Sequence, residues 1–206
     1  MGKLNLTHHS VSDWDFSANG SYRTLSTTFY VSPPSSLFIW KYNFPSDPLI
    51  VLCRYSQVLN VPQGKMITWQ MREAADGYMW TFRNQKPLGS ADHNNCYLVE
   101  VAANRLYLHR LVAGVFTTIG WVSTVVTPAV FEHWAIEWWN GNNPAGNDAL
   151  CVNFLKSIGG IWLQQGETLY DTANQFKLSG LNRCGLAVTA AATGVYNDDT
   201  EIWIPD

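Results

Sequence analysis

Charge is scarce in this sequence. Asp, Glu, Lys and Arg make up 14% of its residues, against roughly 25% in ordinary soluble proteins. The 13 basic and 16 acidic residues leave a net charge of -3, and no basic run is present. The chain therefore lacks the electrostatic footprint of a nucleic-acid binder. No stretch of about 20 apolar residues occurs, so neither a membrane-spanning helix nor membrane insertion is expected. The N-terminal stretch MGKLNLTHHSVSDWDF has neither the basic segment nor the apolar core of a secretory leader. Cys53, Cys96, Cys151 and Cys184 are scattered, with no C-x-x-C pair. That spacing suggests neither a zinc site nor a redox motif, and buried free thiols are the expectation, with pairing left open. The phosphate loop, the dinucleotide fingerprint and the G-x-S-x-G elbow are all missing. Adjacent rings at His8 and His9 diverge on an extended strand, which suits a polar terminal segment better than a metal.

Aromatic residues are abundant: they reach 14%, with 10 Trp among them. Such a chain must bury its rings or bind with some of them. Almost every segment alternates with period two, as a strand with one buried face does. In GYMWTFRNQ, Tyr78, Trp80 and Phe82 alternate with Met79, Thr81 and Arg83. NNCYLVEVAANRLYLHRL reads as a hairpin turning at Ala103-Asn104. Turn formers such as SPPSS, VPQGK, GNNPAGND and NDD separate the runs. No amphipathic helix beyond two turns appears, and no repeat or linker. About a dozen short strands with regular turns imply a sandwich or barrel, and one antiparallel sandwich spanning 1–206 accounts for the chain.

FEHWAIEWWNG, residues 131–141, holds three Trp, one His and two Glu. On a strand, Glu132, Trp134, Ile136 and Trp138 share one face, while His133, Ala135, Glu137 and Trp139 share the other. The first face is the expected core wall. Glu132 and Glu137 lie on opposite faces with backbones roughly 16 Å apart. They cannot form a glycosidase pair, which needs carboxyl groups about 5 to 9.5 Å apart. On the second face, His133, Glu137 and Trp139 offer an aromatic plate flanked by hydrogen-bonding groups, which suits a sugar. The plain alternative is a solvated or loop-covered sheet surface. Tyr107 and His109 point outward between Leu106 and Leu108 and would extend the same groove if the two strands were neighbours.

Several pieces occur in a telling order: Gly77-Tyr78, NRLYLHRLVAG, HWAIEWWNG, Asp171 followed by SGLNRCGLAV, and NDDTEIW. Over roughly two thirds of the chain this order resembles the concanavalin A-like lectin and glucanase jelly rolls, above all laminin-G-like modules. The polar insertions PLGSADHNN and NNPAGND depart from the pattern. The resemblance implies an all-β jelly roll of two antiparallel sheets, one of them often used for glycans. Its laminarinase-like branch carries E-x-D-x-x-E or E-x-D-x-E on one strand, and no such string occurs here, so a noncatalytic member is expected. Similar jelly rolls tie their chain ends with a structural calcium, for which Asp198, Asp199 and Asp13 are candidates. The alternative is that these aspartates cap a turn and keep an edge soluble.

The leading expectation is a noncatalytic carbohydrate-recognition module acting through His133, Glu137, Trp139, Tyr107 and His109. It would need no cofactor beyond that candidate calcium. Its partner would be a glycan or glycosylated surface, met outside the cell or on a virion. The rival is a structural virion protein, a capsid decoration or fibre component, that self-associates or attaches to a viral shell. A glycan hydrolase or lyase stands third.

Overall fold

The computed structural model describes residues 2–6, 14–16, 21–26, 28, 31, 36–41, 49–53, 63–73, 77–85, 95–102, 104–177, 183–188 and 195–204. For strands before residue 54, and for Tyr78, Val188 and Ile204, it describes the backbone alone. In chain order the strands are β1 (Gly2–Leu6), β2 (Trp14–Phe16), β3 (Ser21–Ser26), β4 (Ser36–Lys41), β5 (Leu49–Cys53), β6 (Gly64–Arg72), β7 (Gly77–Asn84) and β8 (Cys96–Ala102). They continue with β9 (Arg105–Val112), β10 (Val115–Ser123), β11 (Glu132–Asn142), β12 (Asp148–Ile158), β13 (Ile161–Gln164), β14 (Leu169–Asp171), β15 (Arg183–Val188) and β16 (Val195–Ile204). No helix occurs among the described residues.

The strands form two antiparallel sheets. The first runs β13-β12-β11-β6-β16-β4-β3, with β1 also on β16 and β14 also on β12; the second runs β10-β9-β8-β7-β15-β5-β2. The expected all-β sandwich is therefore present, with more strands than the turn signals suggested. The β8-β9 hairpin turns where the sequence indicated, through Asn104 at φ 60°.

Alternation dictates what each sheet buries. Trp134, Ile136 and Trp138 of β11 and Leu150, Val152 and Phe154 of β12 meet Trp80 and Phe82 of β7 and Val99 of β8 in one core. Trp80 stacks on Phe154 across the gap, centroids 6.5 Å apart, and Phe82 meets Trp138 at 5.0 Å. Each large side chain so buried contributes roughly 1.5–3 kcal/mol. Glu132 shares this inner face, where Lys156 pairs with it at 2.7 Å and lies over the Trp134 ring. A buried carboxylate at the core edge is thus held by a cation instead of facing Glu137.

Polar groups seal the end of the sandwich near Tyr97. Its hydroxyl donates to Asp171 Oδ2 at 2.6 Å and accepts from the Gln175 amide, while Arg110 binds Asp171 Oδ1 at 2.6 Å. Burial, and then Asp171, push the Tyr97 phenol well above its usual range. Arg83 donates to Asn174 and Asn140, and burial lowers its guanidinium to about 10. The segment between β13 and β14 closes one side. Gly166, at φ +69°, sits so near Val122 of β10 that a Cβ would lie 2.7 Å from the valine Cβ.

Cys96, Cys151 and Cys184 are buried thiols, as expected. Burial raises the Cys96 thiol to about 12, so it behaves as a small apolar side chain. The Cys53 side chain lies outside the described residues. The NDD segment was expected as a turn but lies inside β16, where the register against β6 shifts between Asp198 and Glu201 and Asp199 takes φ 45°. A bulge absorbed the turn-forming residues without ending the strand.

Candidate functional site

The outer face of the first sheet follows from its register. His133 lies opposite Trp69 on β6 and Ser157 on β12, Ala135 opposite Ile67 and Leu155, and Glu137 opposite Lys65 and Asn153. Lys65 in turn faces Trp203 on β16, and Trp139 faces Cys151. One row of this face is therefore aromatic around His133, and a second gathers charge and indoles around Glu137.

At the second row the surface sinks into a depression of about 370 Å³ lined by Gln63, Lys65, Glu137, Trp139 and Trp203. Two glycines shape it. Gly64 leaves the edge of Trp138 exposed to the depression, and a Cβ there would stand 2.9 Å from that ring and 3.1 Å from the Trp203 carbonyl. Gly141 lets the Trp139 indole lie across its own strand, since a Cβ at 141 would fall 3.1 Å from Trp139 Nε1. Lys65 and Glu137 form an ion pair at 2.8 Å, each about one-third exposed or less. Trp203 donates its indole N–H to Glu201 at 3.1 Å, which fixes the ring. Two indoles, an ion pair and an amide thus share one open hollow, a combination suited to a ligand with apolar faces and hydroxyl edges.

His133 is placed differently from expectation. Its imidazole stacks on Trp69 at 4.4 Å and 3° and meets Trp162 of β13 at 4.6 Å. Burial between the two indoles lowers its pKa. It is a spacer in an aromatic stack about 13 Å along the strand from Glu137, and it does not line the hollow.

Tyr107 and His109 do not extend this groove. They lie on β9, whose neighbours are β8 and β10 in the other sheet, so they face the opposite side of the sandwich. His109 is engaged there by Glu100 at 2.9 Å and Thr118 at 3.2 Å, and Tyr107 is donated to by Arg105 at 3.4 Å. Alternation assigned them correctly to an outer face, but it carries no record of which sheet a strand joins. Lys65 and Trp203 were missed for the same reason, since each enters the hollow through pairing with a distant strand, and Gln63 comes in with them just before β6. A sequence signal existed only for Trp203, which shares parity with Glu201 in TEIWIP.

Of the calcium candidates, Asp198 is buried within β16. Its Oδ2 accepts the Val31 amide at 2.7 Å and its Oδ1 accepts the Asp199 amide at 2.9 Å. The carboxylate staples backbone, the role expected of a turn-capping aspartate. Asp199 is exposed on the bulge, and Asp13 lies outside the described residues. Among the described residues no three His, Cys, Asp or Glu side chains converge as a metal site.

No protein-family model and no curated protein sequence matches the chain. Solved structures do. A carbohydrate binding module, CBM66, from Bacillus subtilis superposes with a TM-score of 0.54 at 15% identity, covering 92% of this chain and 94% of its own. A legume lectin-like domain from Entamoeba histolytica gives 0.56 at 10% identity over 98% and 97%. The PL-14 alginate lyase from Aplysia kurodai gives 0.56 at 12% identity over 99% and 98%. At such identities likeness speaks for architecture alone. The chain has the two-sheet antiparallel jelly-roll sandwich of the concanavalin A-like type.

Proposed function

We propose that the protein is a noncatalytic carbohydrate-recognition module that binds a glycan in the hollow between Trp139 and Trp203. The observation that carries this reading is the convergence of two indoles, the Lys65–Glu137 pair and the Gln63 amide on one depression. Indole faces cover the C–H faces of a pyranose, while the charged pair and the amide serve its hydroxyls without needing a charged ligand. Glu137 is the one carboxylate among the residues lining the hollow and is held by Lys65, whereas glycoside hydrolysis ordinarily uses a pair of carboxyl groups. The structural neighbours supply context, since one is titled a carbohydrate binding module and another lectin-like. Such a module would meet its glycan or glycosylated surface outside the cell or on a virion.

The test is affinity electrophoresis through gels containing plant, bacterial and algal polysaccharides, followed by titration of any that retards the protein. Trp139→Ala and Trp203→Ala should each weaken binding about tenfold or more, or about 1.4 kcal/mol, with unfolding temperatures close to the parent. No retardation by any glycan, or retardation indifferent to both changes, would overturn the reading.

A second reading has its own observation. Val125, Ile158, Ile161 and Leu163 are all at least 45% exposed, Val125 and Ile158 border one depression and Ile161 is paired with Ile158, an apolar edge that self-association or attachment to a viral shell would cover. A sizing column run at several concentrations separates the two. A concentration-dependent oligomer with silent gels favours the structural role.

A further inference from the structure

On the other sheet, the face that carries Tyr107 holds a cation with no counter-charge among the described residues. Arg105 opens β9, opposite Ser123 on β10. Its guanidinium lies over the Trp121 ring at 3.9 Å, and one Nη donates to the Tyr107 hydroxyl at 3.4 Å. Among the described residues no carboxylate pairs with it, whereas Lys65 has Glu137, Arg110 has Asp171, Lys156 has Glu132 and Lys177 has Asp148. Glu100, the acid on the same face, is held by His109 at 2.9 Å.

Beside Arg105 lies a second depression, of about 630 Å³, which Asn104, Ser123 and Gln165 line with hydrogen-bonding groups, Val125 and Ile158 with apolar surface, and Lys156 with a cation already paired to Glu132. It is separate from the hollow at Trp139, which opens on the first sheet. A planar guanidinium held over an indole loses freedom of movement, and its fork of N–H donors matches a carboxylate or a sulfate through two parallel hydrogen bonds. The space beside it far exceeds a small ion, and its mixture of hydroxyl, amide and aliphatic groups suits a pyranose ring. We infer that this depression is a second binding site, taking an acidic saccharide through its anionic substituent, a uronate carboxylate or a sulfate ester. Arg105 carries the charge recognition, Trp121 orients it, and Ser123 and Asn104 reach the neighbouring hydroxyls.

Calorimetric titration of the whole chain tests this with trigalacturonate, a sulfated carrageenan tetrasaccharide and neutral maltotriose as probes. At least one anionic probe should bind, weaken as salt is raised, and lose about tenfold or more in affinity on Arg105→Gln, while Trp139→Ala leaves it unchanged. Arg105→Lys keeps the charge but not the fork and should recover only part of the loss. Binding of trigalacturonate identifies a carboxylate as the anion, and binding of the tetrasaccharide alone identifies a sulfate ester. Absence of binding by both, or binding indifferent to Arg105→Gln in a protein with an unaltered melting temperature, overturns the inference. Because the Trp139 hollow is probed by different variants, either site can fail without the other.

Discussion

At the scale of single residues, small side chains decide the hollow. Gly64 is opposite Trp138 with no spare volume: an added methyl would meet the Cζ2 edge of a ring packed on Phe82, and that ring cannot swing aside as a flexible tip could. Gly64→Ala should therefore cost about 1–3 kcal/mol of stability and disturb glycan binding together with it. Urea unfolding measures the first, and an unchanged midpoint would show that the ring has room the structure denies it. His133 gives a pH signature. Burial between Trp69 and Trp162 lowers its pKa below the ordinary 6.5, so the unfolded chain binds a proton there more readily than the folded one. The stability this residue contributes is complete above pH 6.5 and is lost as pH falls from there through the folded pKa, below which the loss levels off. Melting temperature followed through that window should fall less steeply in His133→Gln than in the parent. Parallel curves would mean that the imidazole is not desolvated by its neighbours.

At the scale of elements, β11 was the most legible part of the sequence. The separation of Trp134, Ile136 and Trp138 from His133, Glu137 and Trp139, and of Glu132 from Glu137, needed only the two-residue period of a strand. β16 was less legible, because Asn197, Asp198 and Asp199 carry turn chemistry while β6 pairs with the strand on both sides of them. Non-local hydrogen bonding overrode the local preference. Tyr107 and His109 show the same limit from another direction: parity is local, whereas membership of a sheet is decided by partners far along the chain. The hollow was half visible for that reason, with Glu137 and Trp139 found and Lys65, Gln63 and Trp203 hidden in register. Register is held in turn by elements such as β14, which the Tyr97 hydroxyl ties through Asp171 to the other sheet. Tyr97→Phe leaves that buried carboxylate with one partner fewer and should destabilise by about 1.5–3 kcal/mol. Chemical denaturation with an unchanged slope would register this, and a loss well below 1 kcal/mol would show that the bond contributes little.

At the scale of the whole molecule, the sandwich presents two outer faces with different chemistry. The first sheet offers Trp139 and Trp203 around an internally neutralised ion pair, and the second offers Arg105 over Trp121 with no carboxylate paired to it among the described residues. The rigid core between them, stacked through Trp80 and Phe154, lets each face act without rearranging the other. The hollow is lined by the indoles of Trp139 and Trp203 and the edge of Trp138, three of the ten tryptophans, which makes the indole N–H spectrum the most direct reporter. With a glycan that retards the protein added to saturation, the resonances of Trp139 and Trp203 should move, while those of the core residues Trp80 and Trp134 and of Trp121 on the far face stay in place. Shifts confined to Trp121, or no indole shift at all with the glycan bound, would contradict the assignment of the hollow as the sugar site.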